Sequence, residues 1–166
     1  MSMNGEYLRI TPDEWERTLK DPDWAYGLAE EAMDAAEENE TTSPDARHFT
    51  TGQTWHMLDF LLRRADFPVD IVMGEEEVPG AGEWGYEPPR FLPPARVRSA
   101  AEALRRLSYA GLVQDVEPAE LARAEIYPSI WDSPEALGWA ADLFPELTAF
   151  FEAAAAAGDG MLLWID

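Results

Sequence analysis

The chain has 166 residues, of which 46% are hydrophobic, and it carries a net charge of -21 at pH 7. This length fits one domain that buries about two-thirds of the surface of the unfolded chain, while the charge argues against nucleic acid as a partner because phosphates would be repelled. The absence of cysteine excludes thiol catalysis, disulfides and thiolate zinc sites.

The sequence shows no export signal and no membrane segment. It starts MSMNGEYLRI, without a basic region followed by an apolar one, and no run approaches the roughly 20 apolar residues of a membrane span. We therefore expect a cytoplasmic protein that does not bind a membrane. The acid excess favours a basic protein or a cation as partner, or serves solubility alone.

The N-terminal part predicts one strand and two helices. Residues 6–10 alternate in the way typical of a strand. Thr11-Pro12-Asp13-Glu14 combines a capping threonine, a first-turn proline and an acidic third residue, which predicts a helix start. A second helix begins at Asp21-Pro22-Asp23 and ends in the acidic run 37–40. His48 belongs to the polar loop that follows, and we expect it to be exposed and without function.

The stretch 52–62, GQTWHMLDFLL, predicts the central helix of the protein. Its apolar residues cover most of the helix circumference, so we expect burial on several sides. Thr50 and Gln53 have the spacing of a capping box. His56 and Asp59 are i,i+3 neighbours that could form a hydrogen-bonded pair for proton transfer or metal ligation. A core or boundary histidine satisfied by its helical neighbour is the favoured interpretation.

A long loop follows the central helix. Residues 69–73 (VDIVM) predict a short buried strand. The segment 74–94 then holds four glycines, five prolines and three aromatic residues, and a loop of this length in a compact domain is usually functional or mobile. Trp84 and Tyr86 in this loop are either pinned into the core or used as contacts to a partner, since both residue types are favoured at binding hot spots.

Two patterns in this loop resemble ligand sites. Residues 80–85 fit G-x-G-x-x-G, but that motif binds a dinucleotide only between a strand and a helix N-terminus, and two prolines follow it here. Glu75, Glu76 and Glu77 could ligate a divalent cation together with His56, although a solvated acidic turn is the favoured interpretation. We expect no cofactor.

The C-terminal half predicts helices and one more strand. A helix over 93–107 has an apolar face and an arginine-rich face. Its arginines, with Arg90 just before them, could hold an anionic ligand, but balancing the acidic surface is the favoured role. A short helix, an aromatic linker, a helical region and a buried strand follow over 118–124, 126–132, 133–157 and 161–165. We expect Tyr127 and Trp131 of the linker to pack into the core.

Five stretches carry, in order, a resemblance to a known family. They are 3–12, 55–62, 85–92, 126–131 and 158–164. The ordered set resembles the YfbM-like family of bacterial proteins, domain of unknown function 1877. The resemblance implies one compact domain in which a small sheet is flanked by helices, and it brings no established activity and no catalytic residues. An acidic, proline-rich insertion around 75–83 is particular to this chain.

Together these patterns predict an α+β fold, a single domain over 1–166 with a small mixed sheet of about three to five short strands flanked by about five to six helices. The leading functional hypothesis is a cytoplasmic binding or interaction protein rather than an enzyme, for example an immunity-type or regulatory partner of a basic protein. The candidate ligand- or partner-binding residues are Trp84, Tyr86, Arg90, Tyr127 and Trp131.

Two alternatives belong to other functional classes. The first is a small hydrolase or transferase, with His56 as base, Asp59 as its orienting group and Arg90 for an anionic substrate group. Tyr86 and Trp131 would form the walls of its pocket. The second is a ligand or metal sensor without turnover, for which Glu75 and Glu76 are the weak metal candidates.

Overall fold

The chain folds around an antiparallel sheet whose two longest strands lie near opposite ends of the sequence. The computed structural model describes residues 2–38 and 46–166. In these residues the elements are β1 (Gly5–Ile10), α1 (Pro12–Lys20), α2 (Pro22–Glu38), β2 (His48–Gly52), α3 (Trp55–Arg64), β3 (Glu76–Glu77), β4 (Arg90–Leu92), α4 (Pro94–Arg105), α5 (Tyr109–Val113), α6 (Pro118–Arg123), a 3-10 helix (Pro134–Gly138), α7 (Leu143–Ala157) and β5 (Gly160–Ile165). The predicted α+β class is confirmed.

The sheet has the strand order β2-β1-β5-β4-β3. Strands β1 and β5 pair along their whole length, from Gly5 opposite Ile165 to Ile10 opposite Gly160. All four pairings are antiparallel, whereas the sequence predicted a mixed sheet. Strand direction depends on which distant segments meet, and alternation of residues along one strand carries no information about that.

Successive side chains point to opposite sides of the sheet. The cluster of buried hydrophobic residues is larger on one side than on the other. On one side, which we call the deep face, Tyr7, Leu163 and Ile165 pack with the buried residues of α3, α4 and α7. On the other side, which we call the tryptophan face, Leu8, Ile10, Leu162 and Trp164 pack under α1, α2 and part of the 74–94 loop. The tryptophan face takes its name from the tryptophans at positions 15, 24, 84 and 164 that pack there.

The predicted start of α1 is confirmed. The Glu14 amide donates to Thr11 Oγ1 at 3.2 Å, and the Thr11 amide donates to the Glu14 carboxylate at 2.8 Å, which together form a capping box. The predicted capping box at the central helix is wrong, because Thr50 belongs to β2 and α3 begins at Trp55. Thr50 lies opposite Glu6 in the sheet and donates to its carboxylate, so strand pairing replaces the local cap.

The strand predicted over 69–73 is also wrong. This segment is a buried turn in which Asp70 Oδ1 accepts hydrogen bonds from the amides of Val72 at 3.3 Å and Met73 at 2.9 Å. The Tyr7 hydroxyl donates to the Ile71 carbonyl at 2.5 Å. Apolar residues are buried here without a strand because side chains, not a neighbouring strand, satisfy the backbone.

Candidate functional site

His56 is held by the backbone of the aromatic linker. The Tyr127 amide donates to His56 Nδ1 at 2.8 Å, and the His56 ring stacks on Trp55 with 4.9 Å between centroids. A nitrogen that accepts this bond carries no proton, so the imidazole is neutral with its proton on Nε2. Burial lowers the pKa of His56 and the nearby charge of Asp59 opposes that shift. Both the contact and the burial therefore favour a neutral, structural histidine.

Asp59 takes a different partner from the one expected. Arg63 Nε donates to both oxygens of Asp59, at 2.9 and 3.0 Å, and Arg63 also reaches Asp70 at 3.1 Å. In the described part of the chain, the hydrogen bonds of His56 and Asp59 go to these other residues and the two do not bond to each other. The i,i+4 arginine satisfies the carboxylate better than the i,i+3 histidine.

The cavity beside Asp59 and Arg63 is small. Its volume is about 70 Å³, and Asp70 and Val72 complete its rim. Pockets that bind small molecules have volumes of roughly 300–1,000 Å³, so this cavity is too small for a typical substrate. The hydrolase hypothesis thus finds neither its acid–base pair nor a substrate-sized cavity at α3.

The linker aromatics contribute to the core and to its hydrogen bonding. Trp131 is buried and its Nε1 donates to the Ile126 carbonyl at 2.7 Å. Tyr127 is half-buried, and its hydroxyl accepts from the Met3 amide at 2.9 Å, while Trp55 Nε1 donates to the Met3 carbonyl at 2.9 Å. These contacts hold the segment before β1 against α3.

Trp84 and Tyr86 occupy different environments although they are two residues apart. Trp84 is 4% exposed and lies between Tyr26 and Trp164, each 5.3 Å away between ring centroids. Tyr86 is 40% exposed, and its amide donates to the Ile165 carbonyl at 2.9 Å. Trp84 therefore belongs to the core, and Tyr86 is accessible to a partner.

Gly85 explains how the loop reaches the sheet between these two aromatic residues. Its φ is +94°, and a Cβ atom there would lie 2.6 Å from the Asp166 Cα atom. A side chain would meet both the strained backbone and this clash. The glycine lets the loop dock on the end of β5 with Trp84 pointing inward.

Two other candidate residues of the loop, Glu75 and Arg90, form ion pairs. The Arg96 guanidinium donates to Glu75 at 2.8 and 2.9 Å and lowers the pKa of that carboxyl. Arg90 lies on β4, 3.7 Å from Glu77, and Glu76 is exposed beside them. Over residues 2–38 and 46–166, no group of three histidine, aspartate or glutamate side chains is placed to hold a metal ion.

A buried polar cluster, absent from the predicted site residues, links β1 and β2. His48 lies in β2, with its Nε2 2.5 Å from a carboxylate oxygen of Glu6, and Thr50 donates to the other oxygen at 3.0 Å. His48 is only 9% exposed at its side chain, so the expectation that it is an exposed loop residue is wrong. Its partner is 42 residues away, and no local spacing predicts that contact.

Asp166 extends this cluster. Burial, then the charge of Glu6, raises the pKa of the Asp166 carboxyl. Neither of the two cavities described for the protein is lined by these residues. The cluster therefore acts as a polar clamp between strands at the edge of the tryptophan face.

The accessible surface above the tryptophan face combines aromatic rings with carboxylates. Tyr26 on α2 is 42% exposed, and its ring packs against Trp84, two residues before the exposed Tyr86. Glu30, Asp34 and Glu38 follow Tyr26 at intervals of four along α2, so they share its outward side, and all are exposed. We call this area the Tyr26–Tyr86 surface.

Most arginines of the described chain form ion pairs with its aspartate and glutamate side chains. Ion pairs hold Arg9, Arg47, Arg63, Arg90, Arg96, Arg105 and Arg106. The sequence has 33 acidic and 12 basic residues, so most carboxylates have no cation to neutralise them. The excess negative charge is thus left on the surface.

None of the helices within the described residues is long and apolar enough to cross a membrane. A comparison with functionally curated proteins finds no match to this chain. Among solved structures, the crystal structure of YfbM from Escherichia coli, a protein of unknown function, matches over 100% of both chains with a TM-score of 0.68 and 18% sequence identity. That likeness supports the fold alone.

The sequence also matches a family profile. The profile described as "Domain of unknown function (DUF1877)" matches residues 1–164. The resemblance predicted from the five ordered stretches is confirmed, and the chain belongs to the DUF1877 family.

Proposed function

We propose that this protein is a cytoplasmic, non-catalytic binding protein whose partner is a positively charged protein. The observation that carries the proposal is the Tyr26–Tyr86 surface. Exposed Tyr26 continues into a row of exposed carboxylates along α2, and Tyr26 packs against Trp84, two residues before exposed Tyr86. Tyrosine supplies contact area at low entropic cost, and it is enriched at interfaces. Carboxylates around it select a cationic partner.

The net charge of the protein also favours a positively charged partner. With a net charge of -21, the protein attracts basic proteins over long distances and repels acidic ones. The attraction raises the association rate more than it strengthens the final complex, and salt weakens it. A protein without cysteine also needs no oxidising compartment, which is consistent with the proposed cytoplasmic location.

An immunity-type or regulatory role would use this surface in the same way, by covering a basic patch of the partner. The hydrolase or transferase alternative has less support, because His56 Nδ1 accepts from Tyr127 and Asp59 binds Arg63. The metal-sensor alternative has less support as well, because Glu75 binds Arg96 and no group of three histidine, aspartate or glutamate side chains within residues 2–38 and 46–166 is placed to hold a metal ion.

Site-specific photo-crosslinking tests the surface directly. A photoreactive amino acid is placed at Tyr26 or at Tyr86 in the source cell, and at Trp139 as control. Trp139 is 40% exposed, as Tyr86 is, but it lies in the segment before α7, next to Ala140 of the deep-face core. We expect one basic protein to be crosslinked from both tyrosine positions and not from Trp139.

The affinity of that protein is then measured with purified components. Tyr26→Ala/Tyr86→Ala should weaken binding at least about tenfold, as truncation of two contact aromatics does. Tyr86→Ala alone should leave the melting temperature unchanged, whereas Tyr26→Ala should lower it slightly because one ring contact with Trp84 is lost. Raising the salt to about 0.5 M should slow association, because the Debye length falls to a few ångströms. Equal crosslinking from all three positions, or unchanged affinity in the double variant, would remove this surface from the function.

A further inference from the structure

A second feature of the tryptophan face is a cavity of about 200 Å³. It lies where β1 and β4 end and β5 begins, and the first turn of α1 covers one side. Its wall includes Ile10, Trp15, Glu16, Phe91, Pro93 and Gly160. The volume is below the roughly 300–1,000 Å³ of small-molecule pockets, so the cavity fits a single side chain better than a whole substrate or cofactor.

The cavity wall is rigid and mostly apolar. Trp15 stacks on Phe91 with 3.6 Å between ring centroids and 7° between planes. Gly160 allows this position of Phe91, since a Cβ atom there would lie 2.7 Å from the Phe91 ring. Together with Pro93, these groups form a preformed surface for the aliphatic part of a long side chain.

Glu16 is the one ionisable residue of the cavity wall. Its neighbour Glu14 is engaged by Arg47, whereas Glu16 is exposed and has no ion pair within residues 2–38 and 46–166. An apolar cavity with one free carboxylate at its rim complements a side chain that has an apolar stem and a positive end. Among such side chains, arginine has the planar head that donates two parallel hydrogen bonds to a carboxylate.

We propose that this cavity receives one arginine side chain of the basic partner, an inference that rests on the proposed function. The stem lies along Phe91 and Pro93, and the guanidinium reaches Glu16. The cavity and the Tyr26–Tyr86 surface lie toward opposite ends of β5, whose six residues span about 20 Å. A partner that buries about 800 Å² on this protein covers both.

The experiment titrates n-butylguanidinium into the ¹⁵N-labelled protein and follows the Trp15 indole and Gly160 amide signals. We expect saturable shifts at these two positions, with a dissociation constant in the millimolar range. Pentanoate has a similar stem and the opposite charge, and it should bind at least about tenfold more weakly. Glu16→Gln should weaken butylguanidinium binding about three- to tenfold. Glu117→Gln, a change at another exposed carboxylate, should leave it unchanged.

Several results would overturn the inference. They are the absence of saturable shifts, equal binding of pentanoate, binding of n-butylammonium as tight as that of butylguanidinium, or an equal effect of the two glutamate variants. Once the crosslinked partner is known, Glu16→Gln should also weaken its binding several-fold. If the partner binds Glu16→Gln normally, this inference fails and the proposed function stands. If butylguanidinium binds and no partner crosslinks, the proposed function fails and the cavity is a cation site for another ligand.

Discussion

The two faces of the sheet differ in how they use their polar and aromatic side chains. On the deep face, the polar groups that the sequence singles out have internal partners: His56 accepts from Tyr127, Asp59 binds Arg63 and Trp131 donates to Ile126. The tryptophan face has a shallower cover formed by α1, α2 and a loop. It leaves Tyr26, Tyr86 and Glu16 accessible.

The two faces therefore differ in which groups are free to bind a partner. A polar group that already has a good partner loses that bond when it takes a ligand, whereas an exposed ring or an unpaired carboxylate does not. The deep face therefore contributes stability, and the tryptophan face has the groups that are free for recognition.

Trp84→Ala should lower the free energy of unfolding more than the other substitutions do. Trp84 is 4% exposed between Tyr26 and Trp164, and truncation of a buried tryptophan costs about 3–5 kcal/mol. We expect urea denaturation to show that loss, with the melting temperature lower by roughly 10 °C.

Tyr86→Ala is the matched control for this change. Tyr86 is in the same loop but 40% exposed, so its substitution should alter the unfolding free energy by less than about 0.5 kcal/mol. If the two variants are equally stable, Trp84 is not part of the core, and the assignment of the loop to the tryptophan face is wrong.

The contrast between Trp84 and Tyr86 also shows what the sequence could and could not predict. The start of α1 depends on residues three apart, and the sequence predicted it correctly from Thr11 and Glu14. The environments of the two loop aromatics depend on contacts with α2 and β5, which are far away in sequence. Local patterns left both interpretations open because each aromatic residue is compatible with burial or exposure.

The same limit explains the errors around β2 and α3. Thr50 and Gln53 have the spacing of a helix cap, and His56 and Asp59 have the spacing of a hydrogen-bonded pair. In the structure, Thr50 and His56 bind residues that are distant in sequence instead. Thr50 pairs with Glu6 across the sheet, and His56 meets Tyr127, 71 residues away. The family resemblance predicted the fold, because it depends on the whole ordered chain. The cavity beside Trp15 could not be predicted in this way, because three distant segments form it.

His56→Leu tests whether the polar groups of the deep face are structural. The change leaves the Tyr127 amide without its acceptor, which should cost about 1–2 kcal/mol of unfolding free energy. His56→Asn places an oxygen near the position of Nδ1 and should recover part of that loss. If both variants match the wild type in stability, the contact is not structural, and His56 becomes available again as a functional group.

The lowered pKa of His56 predicts that stability depends on pH. Because the folded-state pKa of His56 is lowered below 6.5, the unfolded chain binds the proton more readily. The contribution of neutral His56 is fully present above pH 6.5 and is lost as the pH falls from there toward the lowered folded value. Unfolding titrations of His56→Asn should show a weaker decline over that range than the wild type, because asparagine does not titrate. An unchanged decline would mean that another group is responsible.

Asp166→Asn should change the free energy of unfolding least, and it should stabilise the protein where the other substitutions destabilise it. The folded-state pKa of Asp166 is raised above 3.8 by burial and by Glu6, so folding favours the protonated form. The stability from this preference is fully present below pH 3.8 and is lost as the pH rises through the folded value. Asparagine imitates the protonated carboxyl, so the variant should be more stable than the wild type at pH 7, and this advantage should shrink toward pH 4.

The gain should be less than about 0.5 kcal/mol, because solvent screens a partly exposed carboxyl. It corresponds to about 1–2 °C in melting temperature. Asp132→Asn, at an exposed aspartate, is the control and should show no such pH-dependent gain. A lower stability of Asp166→Asn at pH 7 would mean that the charged carboxyl helps to hold the strand clamp, most directly through its hydrogen bond with Trp164. The edge of the tryptophan face would then resemble the deep face, with its polar groups committed to structure and only the exposed rings and Glu16 left for a partner.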